Sequence, residues 1–137
     1  MDKNEEDVKN FNEKFIKENS RSITEQDLQK VSDIADKIEQ KFINRGPLKR
    51  FLDDGKLLIS VIKDYIKGQY RKIPYWAIAA IAFTLLYVFN PSDVVPDILP
   101  MLGLVDDATL VGVCLYLVER ELKDYQIWKQ TSSDHRE

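Results

Sequence analysis

Four aspartates that could bind a metal ion lie close together in the sequence, between two strongly apolar stretches. They are Asp93, Asp97, Asp106 and Asp107. No lysine or arginine occurs between Lys72 and Arg120 to neutralise them. Converging carboxylates repel one another unless some are protonated or a cation neutralises them. Because carboxylate oxygens are the preferred ligands of Mg²⁺, Ca²⁺ and Mn²⁺, the spacing predicts a divalent-cation site if the intervening prolines fold this segment back on itself.

The same aspartates also have structural roles available. Asp106 directly precedes an apolar helix, so its side chain can act as the N-cap of that helix, and Asp107 is favoured there by the helix dipole. A third arrangement is a salt bridge to a basic helix, from Asp97 or Asp107 to Lys56 or Lys63. The sequence leaves these three roles open.

Other residue types that carry enzyme chemistry are scarce. The only histidine, His135, lies in the polar C-terminal tail, and the only cysteine, Cys114, lies in an apolar run. A Ser-His-Asp or Cys-His arrangement therefore lacks a base, and a zinc site of cysteine and histidine lacks ligands. No glycine-rich phosphate loop occurs. The residue types favour a non-enzymatic role, while a hydrolase that uses carboxylates and a metal stays compatible with them.

A basic segment directly precedes the most apolar part of the chain. Residues 41–72 carry nine bases and three acids, whereas residues 73–118 carry no base and four acids. The bases predicted to face a membrane or a protein partner are Lys49, Arg50, Lys56, Lys63, Lys67, Arg71 and Lys72. Basic segments beside apolar helices are attracted to anionic cytoplasmic membrane surfaces. A nucleic-acid partner is disfavoured, because the bases follow one helix without arginine-rich or aromatic interleaving.

The spacing of apolar residues predicts an all-α protein of four to five helices. A short, frayed amphipathic helix is expected around Phe11 and Phe15, and a second helix is expected to begin at a capping box formed by Ser22 and Glu25. A basic amphipathic helix should then cover residues 48–67, with Asp64 on its polar face. The predicted organisation is N-terminal amphipathic helices over residues 1–46, a hairpin domain with its preceding basic helix over 47–130, and a disordered tail over 131–137.

Two apolar helices are expected to pair as an antiparallel hairpin, connected by a turn rich in proline and aspartate. Residues 73–89 contain no charge, so this helix must be surrounded by protein or by lipid. Its length of roughly 25 Å is short of the roughly 30 Å hydrocarbon core of a bilayer. The uncharged part of the second helix, residues 108–118, is shorter still. A shallow or re-entrant membrane hairpin and a soluble bundle around a buried central helix both remain open.

Residues 87–107 resemble the signature of the YkvA-like family of small proteins of unknown function. The matching positions are Tyr87, Pro91, Asp93, Pro96, Asp97, Pro100, Gly103, Asp106 and Asp107. The resemblance implies a helical hairpin domain that is membrane-associated in bacteria, and it implies no established reaction. Residues before about Leu48 do not take part in the signature.

Together these features favour a non-enzymatic, membrane-associated scaffold or regulatory protein. It would lie on the cytoplasmic side of the membrane as an integral, re-entrant or peripheral protein, and its partner would be an anionic membrane surface or another protein. The alternative is a soluble cytoplasmic helical bundle that binds Mg²⁺, Ca²⁺ or Mn²⁺ through its aspartates and has a structural or catalytic role.

Overall fold

The computed structural model describes residues 3–94 and 106–134, and every element in these ranges is helical. The α-helices are α1 (Lys3–Asn19), α2 (Glu25–Asp33), α3 (Ala35–Asn44), α4 (Leu52–Ile66), α5 (Tyr75–Phe89), α6 (Pro91–Val94), α7 (Asp107–Leu117) and α8 (Glu119–Asp134). Two 3-10 turns, Ser20–Ser22 and Gly46–Phe51, precede α2 and α4. The predicted all-α class is confirmed.

The described helical segments outnumber the four to five predicted, largely because two helices bend at a single residue. Ile34 separates α2 from α3 with φ −109° and ψ 21°, and Val118 separates α7 from α8 with φ −107° and ψ 16°. Both residues still donate their backbone N–H to the carbonyl four residues back. The spacing of apolar residues continues across such a bend, so it predicts one helix where the structure has two.

The N-cap of α2 lies two residues later in the chain than predicted. The N-cap is Thr24, whose hydroxyl accepts a hydrogen bond from the Asp27 backbone N–H, while the Asp27 carboxylate accepts one from the Thr24 N–H at 2.8 Å. Ser22 instead ends a 3-10 turn, and Glu25 is the first residue of α2. The predicted position was wrong because two overlapping stretches fit the same capping rule, and the 3-10 turn occupies the first of them.

The centre of the fold is α5, in which twelve of fifteen residues are buried. Helices α1, α2, α3, α4 and α7 all contact it, so protein surrounds the one helix that lacks a polar face. Its partner α7 runs antiparallel to it. Cys114 in the middle of α7 lies 3.8 Å from the Ala80 carbonyl, while Asp107 at the start of α7 lies near Tyr87.

Within residues 3–94 and 106–134, none of the helices has the length and hydropathy that a membrane crossing requires.

Buried residues from both predicted regions, 1–46 and 47–130, form one hydrophobic cluster. Helix α1 is part of it and is not the short, frayed helix that was predicted. It has 17 residues, and the ring of Phe15 packs edge-on against Phe83 and Tyr87, with ring centroids 5.6 and 5.8 Å apart. At the other end of the chain, α8 continues to Asp134, beyond the expected start of a disordered tail at residue 131, because no glycine or proline stops the helix there.

A close approach between α3 and α4 depends on Gly55. A β-carbon at this position would lie 3.0 Å from the ring of Phe42, which is fully buried. We expect Gly55→Val to lower the free energy of unfolding by about 1–2 kcal/mol in a urea titration, because overpacking outweighs the gain in helix propensity. In combination with Phe42→Leu, the loss should be smaller than the sum of the two single effects. Strictly additive effects would contradict this packing.

Candidate functional site

Asp106 and Asp107 lie at the start of α7. Asp106 is the N-cap of α7: its carboxylate accepts a hydrogen bond from the Thr109 backbone N–H and another from the Thr109 hydroxyl, both at 2.8 Å. Asp107 is the first residue of α7 and accepts a hydrogen bond from the guanidinium of Arg45. This ion pair differs from the predicted pairing of Asp107 with Lys56 or Lys63, because the end of α3, and not the basic face of α4, lies beside α7.

Burial is the main influence on the groups around Asp107. It raises the pKa of the Asp107 carboxyl above its ordinary value, and the positive charge of Arg45 only partly opposes it. The neighbouring Tyr87 is 1% exposed, and its pKa is raised to about 12, first by burial and then by the charges of Asp107 and Asp106. Tyr87 therefore keeps its hydroxyl proton throughout the neutral range.

The predicted cation site of four aspartates lies only in part within the described residues. Asp97 falls outside them, and of Asp93 only the backbone, in α6, is described. Over residues 3–94 and 106–134, no three or more histidine, cysteine, aspartate or glutamate side chains are placed to hold a metal ion together. The carboxylates of Asp106 and Asp107 are bonded to Thr109 and Arg45. The Mg²⁺, Ca²⁺ or Mn²⁺ site stays a prediction.

The predicted basic residues lie along α4 and beyond both of its ends. Lys49 and Arg50 precede α4, whereas Lys67, Arg71 and Lys72 follow it. Because α4 has 15 residues, the two groups are separated by roughly 22 Å along the helix. The exposed members of the set are Lys49, Arg50, Lys56, Lys67, Arg71 and Lys72, and Lys63 is half-buried. Lys56 and Lys63 lie within α4, between the two groups.

Two large aromatic side chains are exposed at the end of the bundle that Arg71 and Lys72 occupy. Tyr75 is 42% exposed and Trp76 is 49% exposed, at the first two positions of α5. The Tyr75 hydroxyl donates to the Ile23 carbonyl at 2.9 Å, which fixes this ring. The guanidinium of Arg71 lies over the ring of Tyr65. We call Arg71, Lys72, Tyr75 and Trp76 the aromatic–basic end.

A buried polar cluster joins α4 to α8. Asp64, 6% exposed, accepts a hydrogen bond from the Tyr125 hydroxyl at 2.6 Å and one from the Lys129 ammonium at 2.9 Å. Because Tyr125 donates to Asp64, its oxygen accepts the hydrogen bond from Ser60, also at 2.6 Å. Burial by itself would raise the pKa of Asp64, but the hydrogen bonds from Tyr125 and Lys129 and the positive charge of Lys129 lower it below the ordinary value.

The prediction that Asp64 lies on an exposed polar face was wrong, because α8 covers that side of α4. The periodicity of a single helix cannot show which of its faces another helix covers. A usable signal did exist: Tyr125 and Lys129 lie four residues apart and so share one face of α8. Together they present a hydroxyl and an ammonium to a buried carboxylate.

Cys114 and His135 were the residues considered for nucleophilic chemistry, and the described part of the chain contains no activated nucleophile among them. The Cys114 thiol is fully buried between α5 and α7, and burial raises its pKa to about 11. A thiol in such surroundings stays protonated and unreactive. His135 lies outside the described residues.

Comparison with known proteins finds similarity over the central part of this chain. Residues 77–118, which span most of α5, α6 and α7, match the family described as "Protein of unknown function (DUF1232)". The chain is 25% identical over 87 residues to "Uncharacterized membrane protein YkvA" of Bacillus subtilis (strain 168), covering 64% of this chain and 82% of that protein. No solved structure matches the chain. The resemblance of this chain to the YkvA-like family of unknown function, predicted from the signature, is confirmed.

Proposed function

We propose that this protein is a non-enzymatic, membrane-associated scaffold or regulatory protein that docks peripherally on an anionic membrane surface. The aromatic–basic end makes the contact. The observation that carries the proposal is the exposure of Tyr75 and Trp76 directly beside Arg71 and Lys72. A relative whose printed name is that of a membrane protein supports it.

The aromatic side chains suit the boundary between lipid and water. Tyrosine and tryptophan are enriched at membrane interfaces because each combines an apolar ring with a polar group. Trp76 exposes about half of its surface at the first turn of α5, where it can enter the head-group region without disturbing the core. Neighbouring Ala77 and Ile78 are buried, so the core supports the tryptophan from behind.

The charges at this end complement an anionic surface. Arg71 and Lys72 are both exposed, and each basic residue near such a surface contributes about 1 kcal/mol to binding. Their position before α5 places the charges next to the exposed rings.

The peripheral form of association is favoured over the integral and re-entrant forms by the burial of α5. Its apolar surface is already covered by α1, α2, α3, α4 and α7. To reach lipid, α5 would have to exchange these contacts for lipid tails, which are no more apolar than the core it would leave. A helix packed in this way gains little by entering a bilayer.

Vesicle sedimentation tests the proposal. We expect Arg71→Gln combined with Lys72→Gln to weaken binding to phosphatidylglycerol-containing vesicles about 30-fold, since two contributions of about 1 kcal/mol are lost. The matched control is Lys49→Gln combined with Arg50→Gln, at the far end of α4, which should change binding less than about threefold. Binding should weaken as salt is added, and the protein in cell fractions should be released by alkaline carbonate.

Two outcomes would overturn the proposal. One is an equal loss of binding in both double variants, which would mean that the aromatic–basic end is not the docking surface. The other is wild-type protein that stays in solution with anionic vesicles at low salt. Retention in the membrane after a carbonate wash would instead support an integral form.

A further inference from the structure

A groove opens beside the aromatic–basic end, between the last turn of α1 and the first turns of α5. Its volume is about 480 Å³, within the range of about 300–1,000 Å³ that is typical of sites for small molecules. Ala79 and Ala80 form part of its floor, and Ile16 and Leu117 contribute apolar side chains. The two alanines leave room above this part of α5, because their side chains are single methyl groups.

The lining of the groove is chemically suited to a hydrocarbon chain. Ile16, Ala79 and Ala80 are buried apolar residues, and the exposed ring of Trp76 stands at the edge. The one small polar residue of the lining, Ser20, donates its hydroxyl to the Lys17 carbonyl at 3.4 Å. The hydroxyl of Tyr75, which also lines the groove, donates to the Ile23 carbonyl, so neither hydroxyl requires a hydrogen bond from whatever occupies the groove.

Two cations mark the rim of the groove. Lys17 and Arg21 lie one helical turn apart and are exposed. Among the residues that line the groove in the described part of the chain, none is acidic. Glu18, next to Lys17, lies 3.9 Å from Lys14 on the solvent side of α1. An occupant with an apolar body and one anionic end would match both the interior and the rim.

We propose that this groove holds one acyl chain of an anionic membrane phospholipid, with the phosphate against Lys17 and Arg21. The proposal rests on the membrane docking proposed above and extends it from contact with a surface to recognition of a single lipid molecule. The rings of Tyr75 and Trp76 would enter the head-group region while the groove accepts an acyl chain from the same leaflet. The docked protein would therefore distinguish membranes that contain anionic phospholipid from those that do not.

Monomeric lysophospholipids test the groove separately from vesicle docking. Trp128→Phe leaves Trp76 as the only tryptophan, so its fluorescence reports occupancy. Lauroyl lysophosphatidylglycerol, kept below its critical micelle concentration, should bind saturably and shift the Trp76 emission to shorter wavelength. The phosphatidylcholine analogue with the same chain should bind about fivefold more weakly, because it does not complement two exposed cations.

Variants of the lining residues test whether the lysolipid binds in this groove. Ala79→Leu fills the floor and should weaken lysophosphatidylglycerol binding at least tenfold. Lys17→Gln combined with Arg21→Gln should remove the preference for the anionic head group while retaining the chain affinity. Should Ala79→Leu fail to fold, Leu117→Phe fills the groove from its half-buried wall and adds no tryptophan, and the exposed pair Lys17 and Arg21 still tests the rim.

The proposal is overturned if neither lysolipid binds below its micelle concentration, if binding survives filling of the groove, or if the two head groups bind equally well. A wild-type dimer that Ala79→Leu dissociates would show that the groove is an interface between two copies of the chain. Absence of lysolipid binding in a wild-type protein that does bind vesicles would reject the groove and leave membrane docking standing. Lysolipid binding by a protein that ignores vesicles would reject the docking surface instead.

Discussion

The Phe15→Ala variant is expected to unfold with a free energy about 3–5 kcal/mol below that of the wild type, the usual cost of truncating a buried phenylalanine. Phe15 is 8% exposed and makes edge-on contacts with Phe83 and Tyr87 of α5. Its removal leaves a cavity between α1 and the central helix and forfeits the two aromatic contacts with α5. Urea unfolding followed by circular dichroism measures the loss.

Amide hydrogen exchange identifies the part of the molecule that is released. Because Phe15 joins α1 to α5, the amides of α1 should lose protection at denaturant concentrations that leave α5 protected. The matched control is Ile127→Ala, which truncates an apolar side chain that is 64% exposed and should cost less than about 0.5 kcal/mol. A loss below about 1 kcal/mol for Phe15→Ala would contradict the docking of α1 on α5.

Lys129→Met is expected to lower the free energy of unfolding by about 2–3 kcal/mol at pH 7. It leaves the buried Asp64 carboxylate with the hydrogen bond from Tyr125 and without its ammonium partner. Breaking a fully buried ion pair costs about 3–5 kcal/mol, and we reduce this figure because the Lys129 side chain is 52% exposed and screened by water. Lys123→Met is the control: its contact with Glu119 on the same helix is a surface pair, worth less than about 0.5 kcal/mol.

The effect of Lys129→Met should depend on pH in a defined direction. The pKa of Asp64 in the folded protein lies below its ordinary value. Its ionised form therefore stabilises the fold above the unfolded-state pKa of about 3.9, and this stability is lost as the pH falls through the lower, folded-state pKa. The difference in unfolding free energy between wild type and Lys129→Met should be full above about pH 6 and should shrink towards pH 3. A difference that is constant between these pH values would show that the Asp64 charge is not involved.

Much of the fold could be predicted from local pattern alone. The charge-free stretch that forms α5 required an apolar environment on all sides, and the aspartate before α7 occupies the position at which a helix cap forms. The bends at Ile34 and Val118 could not be predicted, because each is a local change in backbone angles that leaves the apolar spacing intact. The capping box was misplaced by two residues, since adjacent sequences satisfied the same rule.

The candidate sites were harder to predict than the fold, because they depend on which helices contact one another. Asp64 has the sequence context of a surface residue, yet α8 covers it and supplies Tyr125 and Lys129. Arg45, rather than a lysine of α4, is the partner of Asp107. The groove beside Trp76 is formed by α1 and α5 together, so neither helix indicates it separately.

The sequence by itself determined the helical class, the antiparallel hairpin and its family signature, because these follow from periodicity, capping and residue spacing within short stretches of chain. Only the tertiary structure decided that protein and not lipid surrounds α5 in this conformation, and that Tyr75 and Trp76 stay exposed beside Arg71 and Lys72. The physical reason is that burial and ion pairing are properties of contacts between residues far apart in sequence, and periodicity within one helix carries no information about its neighbours.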